Sequence, residues 1–482
     1  MVHVALTRLR IDELVNAWGG DRDTPRQIAL LGVFDASPFL RPDDTVDVPR
    51  IRRELAARVR RVAPLGRRVV WTHPGEGRPF WVADPSFLPE DHIEHATMPR
   101  GSDLANWAAN RMVRPLDVNR PLWRAEVVDG LPDARFAVII VLHHIAADGA
   151  TAVAMVGALL DQASDAVPVA PPVAAVPPLP SHRELLRERV HETGAALRRA
   201  RRAATGGVAR LRRGVAQYRD AIAAFRSPEP PTCLPRHVGP GRRLVIARQP
   251  LEAVQRAGDT LGATVNDLVL AAVAGGLRVL MEANGHAVDG LVLRSIVPAA
   301  TGRPGQVMGM LVVALPVGEP DPLRRLARVN RATTTAKTRL HAADDVPEVL
   351  HLPVPLARAA VRTAWRFGSS RVSLSVTDVP GPTAPLWLAG ARLLEAIPVA
   401  PLVPLVPVAV AALSYAGDLA VSINADAAVR DLELVGAGME RSFSEFRDLA
   451  AAGVMLPRLP TPTGSSEPRQ GSKGIEQLPR HR

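Results

Sequence analysis

The chain has almost no cysteine, lysine or tyrosine. Of its 482 residues one is Cys (Cys233), two are Lys (Lys337 and Lys473) and two are Tyr. A lone cysteine excludes an intrachain disulfide and any multi-cysteine metal site, and it suits a reducing compartment. Aromatic residues make up only 4%. So little ring surface to stack on bases argues against nucleic acid as a partner, despite a net charge of +11. A long unbroken apolar run is also missing. Residues 396–413 approach the length that spans a bilayer, but Pro398, Pro401, Pro404 and Pro407 interrupt them at every third position. No regular helix tolerates that, so the segment reads as extended, buried and leading into a strand, and no transmembrane helix is expected. Residues 1–12 contain Arg8, Arg10 and Asp12 and offer no signal-peptide core. There is no Walker A loop, dinucleotide-binding glycine fingerprint or GxSxG elbow, which removes the common nucleotide-dependent and serine-hydrolase readings.

What is present is a folded protein's composition: 47% hydrophobic, 22% charged, and long enough for two to four domains. Six prolines within residues 168–180 and a second proline-rich stretch at 228–240 read as polyproline-like linkers. They divide the chain into an N-terminal domain (1–165), a linker and helical insert (166–240) and a C-terminal domain (241–457). Residues 458–482, rich in Ser, Gly, Pro and charge, read as a disordered tail.

The insert holds the charge surplus. Residues 181–226 carry twelve arginines against four acidic residues, a net of +8, and Val208, Leu211, Val215, Tyr218, Ile222 and Phe225 recur at helical spacing. Two readings stand side by side. One is a solvated linker packed on a domain; the other is an interfacial helix pair that meets anionic headgroups of a membrane or lipid-droplet surface.

Elsewhere strands and helices alternate, giving a mixed α/β fold. Residues 136–142 read as a buried strand and 150–161 as a helix. Further helices are expected at 264–282 and 322–341, and strands at 291–297, 311–317, 372–376, 408–413 and 419–423.

Between the first strand and its helix lies His143-His144-Ile145-Ala146-Ala147-Asp148-Gly149. Successive side chains on a strand point to opposite faces, so at most one histidine faces a given cleft. A histidine held there can serve as general base, because its ordinary pKa lies near working pH. Asp148 can fix the turn or join an ion pair, and Gly149 relieves crowding. A catalytic zinc needs three protein ligands, and no Cys or HExxH partner stands nearby, so no metal is expected. His92 and His95, flanked by Asp91 and Glu94, read as a solvated loop.

The pattern HHxxxDG is shared by chloramphenicol acetyltransferase, the condensation domains of peptide synthetases and the bacterial wax ester synthase/diacylglycerol acyltransferases. Its companions here favour the last group. Arg120-Pro121-Leu122-Trp123 resembles that family's PLW motif, and Val265-Asn266-Asp267 its ND motif. Val379-Pro380-Gly381-Pro382, Pro385 to Arg392, Pro398-Val399 and Ser414-Tyr415 then follow in the family's order.

The resemblance covers roughly residues 100–450. It implies an α/β (α+β) fold of two chloramphenicol-acetyltransferase-like domains, a pseudo-dimer with a tunnel between them. It also implies transfer of an acyl group from long-chain acyl-CoA, a substrate and not a cofactor, to diacylglycerol or a fatty alcohol. His144 would be the base with His143 beside it, and Asp148 would be structural, paired with an arginine for which Arg294 is the candidate. Gly149 completes the motif, Thr377, Asp378, Asn266 and Asp267 are the oxyanion or substrate candidates, and Trp123 is a packing anchor. The place implied is the cytoplasm, peripheral to the inner membrane face or lipid bodies.

Several positions depart from the family. Its Ser-Asn before VPGP is Thr377-Asp378 here, and an ionised Asp378 would repel developing negative charge. The PVSxR stretch appears as residues 298–303, a Gly-Asn pair as Gly309-Met310, and the PMHVG run is replaced by residues 25–32. Two alternatives use the same fold: a condensation-type enzyme fed by a carrier-protein thioester, and a catalytically silent lipid-binding protein.

Overall fold

The computed structural model describes residues 7–73, 77–165, 183–186, 190, 194, 229–299, 309–342 and 354–456. Most of the insert and the whole expected tail lie outside these residues.

Two six-stranded sheets carry the fold. The first contains β2 (Gln27–Asp35), β5 (Ile93–Thr97), β6 (Trp123–Leu131) and β7 (Arg135–His143). It also contains β12 (Trp387–Leu388) and β13 (Ala391–Val399), and its order is β12-β13-β2-β7-β6-β5. The second contains β8 (Arg242–Pro250), β9 (Leu293–Ala299), β10 (Gly309–Leu315), β11 (Leu374–Val379), β14 (Val408–Tyr415) and β15 (Asp418–Asp426), in the order β10-β9-β11-β14-β15-β8. A small sheet of β1 (Thr7–Arg8), β3 (Arg67–Val70) and β4 (Phe80–Ala83) stands apart.

The expected strands and helices are therefore present, with boundaries that differ by a few residues. The larger difference is in connectivity. β13, allotted by sequence to the later domain, pairs antiparallel with β2, with Pro398 opposite Leu30. The chain thus crosses from the second sheet into the first and returns as β14. Asn424 Nδ2 donates to Ala400 O at 2.8 Å and Ser422 Oγ donates to Pro398 O, which binds the crossing strand to β15.

β7 is buried because its run Phe136–Leu142 is apolar on both faces, as a central strand requires. Side chains of one parity (Phe136, Val138, Ile140, Leu142) pack with Ile28 and with α2 (Val48–Val59) and α4 (Gly149–Gly157). The opposite parity (Ala137, Ile139, Val141) packs with Ala29, Leu31 and α3 (Leu104–Met112). The first of these cores also takes in Leu413, Tyr415 and Val379 from the second sheet, so the two sheets share apolar packing at their seam.

The second core is organised around α6 (Val265–Ala283), which follows α5 (Leu251–Leu261). Glycine inside a helix costs about 1 kcal/mol relative to Ala, yet α6 carries Gly275 and Gly276. The reason is the crossing with α9 (Glu433–Ala451): a Cβ on Gly276 would lie 2.4 Å from Val435 O, and one on Gly438 2.8 Å from Gly276 Cα. α1 (Ile11–Trp18), α7 (Pro322–Ala342) and α8 (Val354–Ser369) are further helices. Among the described residues no single helix is long and apolar enough to cross a membrane; α5 and α6 together have the composition but are bent by 97°.

Candidate active site at the seam of the two sheets

β7 ends at His143, and Ala146 N donates to His143 O at 2.8 Å to close a tight turn. Helix α4 then begins with Asp148 as its N-cap, whose carboxylate accepts from Thr151 N at 2.8 Å. The motif is therefore a strand end, a turn and a capped helix start. Gly149 is needed for close approach: a Cβ there would lie 3.1 Å from Val379 Cγ2, across the seam.

The two histidines separate onto opposite faces. His143 pairs in register with Gln27. Its Nδ1 accepts from Ile145 N at 3.2 Å, so this ring supports the turn. Gln27, on the same face, donates to Met112 O and Arg114 O and accepts from Leu116 N, which uses both of its side-chain N–H donors. His144 lies on the other face. Its backbone N donates to Arg26 O at 2.7 Å, and its Nδ1 is buried without a hydrogen bond. Burial, together with the Arg26 guanidinium, lowers His144 to about 4; burial, His144 and Arg26 do the same to His143.

Arg26 was not singled out from the sequence, although the departure at residues 25–32 marked its neighbourhood. It is 8% exposed, donates from Nη2 to Asn16 Oδ1 at 3.0 Å, and stacks its guanidinium 5.1 Å over the Trp365 ring of α8. Arg26 thus joins residues distant in sequence, Asn16 and Trp365, beside the strand end that carries His144.

On the second sheet, alternation along β11 sets Thr377 and Asp378 apart. Asp378 shares its parity with the core residues Leu374 and Val376, and it lines a cavity of about 350 Å³ with Asn266, Val297, Leu311, Thr333 and Lys337. Burial raises its carboxyl to about 6. Thr377 shares its parity with Val379, the residue that meets Gly149. Neither histidine lines the Asp378 cavity. The structure therefore brings Asn266 and Asp378 together, and sets Thr377 on the side of the motif.

Two expectations are corrected. Arg294 does not pair with Asp148. Its Nε donates to the buried Glu229 at 2.7 Å within the second sheet, where Ser373 Oγ also reaches Glu229 at 2.7 Å. Asp148 spends its carboxylate as a helix cap instead. Asp267 is not free to meet substrate either. It is 2% exposed and accepts from Thr264 Oγ1 (2.8 Å), Asn330 Nδ2 (3.0 Å) and Thr333 Oγ1 (2.7 Å), clamping the start of α6 to α7. Trp123 is buried, donates from Nε1 to Leu65 O at 2.7 Å and stacks on His92 with centroids 4.9 Å apart. The His92 ring, expected in a loop, thus packs in the first domain, and His95 meets Asp129 at 3.2 Å. Cys233 sits against Met281.

The wax ester synthase/diacylglycerol acyltransferase catalytic domain matches residues 12–269, and that family's C-terminal domain matches residues 305–447. The chain belongs to the wax ester synthase/diacylglycerol acyltransferase family. It is an O-acyltransferase. A Mycobacterium tuberculosis protein named as a diacylglycerol O-acyltransferase is 31% identical over 426 residues, covering 84% of this chain and 89% of that one. A second, also from M. tuberculosis and named tgs1, is 29% identical over 77% of this chain and 82% of its own length. Among solved structures, the wax ester synthase/diacylglycerol acyltransferase from Marinobacter aquaeolei VT8 superposes with a TM-score of 0.65 at 20% identity, over 92% of this chain and all of that one. The first condensation domain of the calcium-dependent antibiotic synthetase gives 0.55 at 18%, over 93% and 97%. The last two likenesses speak for the fold, the two-domain architecture of the chloramphenicol acetyltransferase type.

Proposed function

We propose that this acyltransferase moves the acyl group of a long-chain acyl-CoA to the hydroxyl of diacylglycerol or a fatty alcohol, with His144 as base. The observation that carries the reading is the half-buried His144 in the turn between β7 and α4, the helix that Asp148 caps and whose first residue, Gly149, meets Val379 across the seam. His144 takes the acceptor proton at Nε2, and the alkoxide attacks the thioester carbonyl. The tetrahedral oxyanion then collapses with cleavage of the C–S bond, and the departing thiolate takes the proton from the imidazolium. Thr377, across the seam, supplies a hydroxyl to the oxyanion. His144, lowered to about 4, stays neutral at working pH and so remains able to accept a proton. The donor is tested by supplying palmitoyl-CoA and a palmitoyl carrier protein separately with hexadecanol and diacylglycerol. Ester formation from CoA supports the reading; ester formed only from the carrier substrate makes this a condensation-type enzyme.

Asp378 gives a prediction of its own. Its carboxyl titrates near about 6 in the fold and near 3.8 when unfolded. A raised carboxyl favours the fold while protonated, and the ionised form pays for burial as pH rises through 6. Asp378→Asn is therefore expected to stabilise the protein at pH 8 by about 1–2 kcal/mol and to have little effect at pH 4. Urea midpoints at both pH values check this; an equal effect at both would mean the carboxyl does not carry the cost.

The basic insert, residues 181–226, is read as a contact with an anionic membrane or lipid-droplet surface that keeps a cytoplasmic enzyme near its substrates. Deleting it is expected to abolish flotation with vesicles containing anionic lipid. Equal flotation of both forms would assign the anchor elsewhere.

A further inference from the structure

Arg26 and His144 lie one residue beyond the last ladder pair of β2 and β7, Gln27 opposite His143. The backbone bond from His144 N to Arg26 O continues that pairing. Both side chains therefore leave the sheet on the same face, where directly opposed Cβ atoms are about 5 Å apart.

Among the described residues the cation has no counter-charge. Arg26 is 8% exposed, and among the described residues no carboxylate lies within ion-pair distance of it. Its hydrogen-bond partner is the neutral amide of Asn16, its stacking partner is the neutral ring of Trp365, and its Nε is buried with no partner at all. Even lowered to about 10 by burial, the guanidinium stays charged at working pH. A buried, unpaired charge is costly unless something of opposite sign meets it. The same charge opposes catalysis by His144, which must itself become a cation when it takes the acceptor proton. Asp148 is the one carboxylate acting in the other direction, and it is committed to the α4 cap.

We propose that Arg26 is an anion-binding group in the acceptor site, so that this chain accepts, in preference to the uncharged diacylglycerol or fatty alcohol named above, an alcohol with a carboxylate or phosphate within two or three bonds of the hydroxyl presented to His144. Such an acceptor satisfies both requirements at once. Its anion receives the free Nε–H of Arg26, and by neutralising the guanidinium it lowers the cost of forming the imidazolium beside it. Substrate binding itself then readies the base. The proposal rests on His144 being that base.

The test compares initial rates with palmitoyl-CoA and matched acceptors. These are 3-hydroxyhexadecanoate against hexadecan-2-ol for the carboxylate source, and 1-palmitoylglycerol 3-phosphate against 1-palmitoylglycerol for the phosphate source. The wild type is expected to favour at least one anionic acceptor by about tenfold or more in kcat/KM, and Arg26→Lys to keep part of that preference. In Arg26→Gln the ratio should fall to near one. Equal rates with both members of each pair in the wild type would overturn the proposal. So would a preference that survives in Arg26→Gln, or a loss of the same size for all acceptors, which would make Arg26 a structural residue.

A second measurement is independent of turnover and needs only the folded wild type. The His144 resonance, assigned by its absence in His144→Gln, is titrated with and without hexadecanoate, which has no hydroxyl to acylate. The carboxylate should move the His144 pKa upward by about one or more, and hexadecanol should not. No upward movement would sink the proposal even if esterification is found, whereas an upward movement without any esterification would sink the base assignment and leave Arg26 as an anion site.

Discussion

His144→Ala is expected to lower acceptor-dependent CoA release by about 10²–10⁴-fold, the usual contribution of a positioned general base. Little of that loss should come from unfolding. The His144 Nδ1 is buried without a hydrogen-bond partner, so the variant breaks no bond there. His143→Ala should behave in the opposite way. That ring accepts from Ile145 N and holds the turn, so its loss should cost stability first and rate second. The pH dependence separates the pair from bystanders. Both histidines are lowered to about 4 from an ordinary value of 6.5. A depressed histidine favours the fold at pH values above 6.5, and that contribution disappears as pH falls towards 4, because the unfolded chain takes the proton more readily. Wild type should therefore lose stability between pH 6.5 and 4, and His144→Ala should lose less of it. Stopped assays with palmitoyl-CoA beside urea unfolding at pH 4.5 and 7.5 provide both readings. Unchanged turnover in His144→Ala would remove the mechanism altogether.

Much of this site is legible in one dimension because it is local. Strand, turn, cap and helix follow within residues 135–157, and the apolar run, the HHxxxDG spacing and the glycine all mark it. The long helices at 265–283 and 322–342 were legible for a similar reason: the residue pattern that marks each is contained within it. What was not legible depends on partners distant in sequence. The pairing of β13 with β2 joins residues about 360–370 positions apart, and nothing in the alternation of Ala391–Val399 names the sheet it enters. Arg294 and Asp148 each carry a charge suited to the other, yet Glu229, just past the second proline-rich boundary, holds the arginine. Asp267 had the type and place of a substrate ligand, and only the approach of α7 shows its lone pairs already occupied. Arg26 was hidden for the opposite reason. Its significance comes from what does not lie beside it, which no spacing rule records.

Asp161→Ala is expected to destabilise the protein by about 3 kcal/mol or more, the largest single loss of stability argued from these contacts. Arg58 on α2 is completely buried, and its Nε and Nη2 both donate to Asp161 Oδ2, at 3.1 and 2.6 Å. Asp161 follows α4, and its backbone exchanges two hydrogen bonds with Trp387, at 2.7 and 2.9 Å, while Oδ2 also receives Ala389 N at 3.3 Å. Asp161 thus ties α2 and the segment after α4 to β12 and the turn that follows it, through its carboxylate and its backbone. Removing it leaves a guanidinium in the core with only the half-exposed Glu54 at 2.7 Å as counter-charge, which keeps the loss near the lower end of the range for a broken buried pair. The pair itself need not be a net source of stability, since desolvating both charges offsets much of their attraction. Replacing both partners by apolar residues, Arg58→Met with Asp161→Leu, should therefore recover most of the loss. Urea unfolding of the two single variants and the double variant provides the cycle. If Asp161→Ala costs less than about 1 kcal/mol, Glu54 alone satisfies Arg58 and the clamp is redundant. If the single loss is large and the double variant is no better, the lost bond from Ala389 N carries the energy, and the ion pair does not.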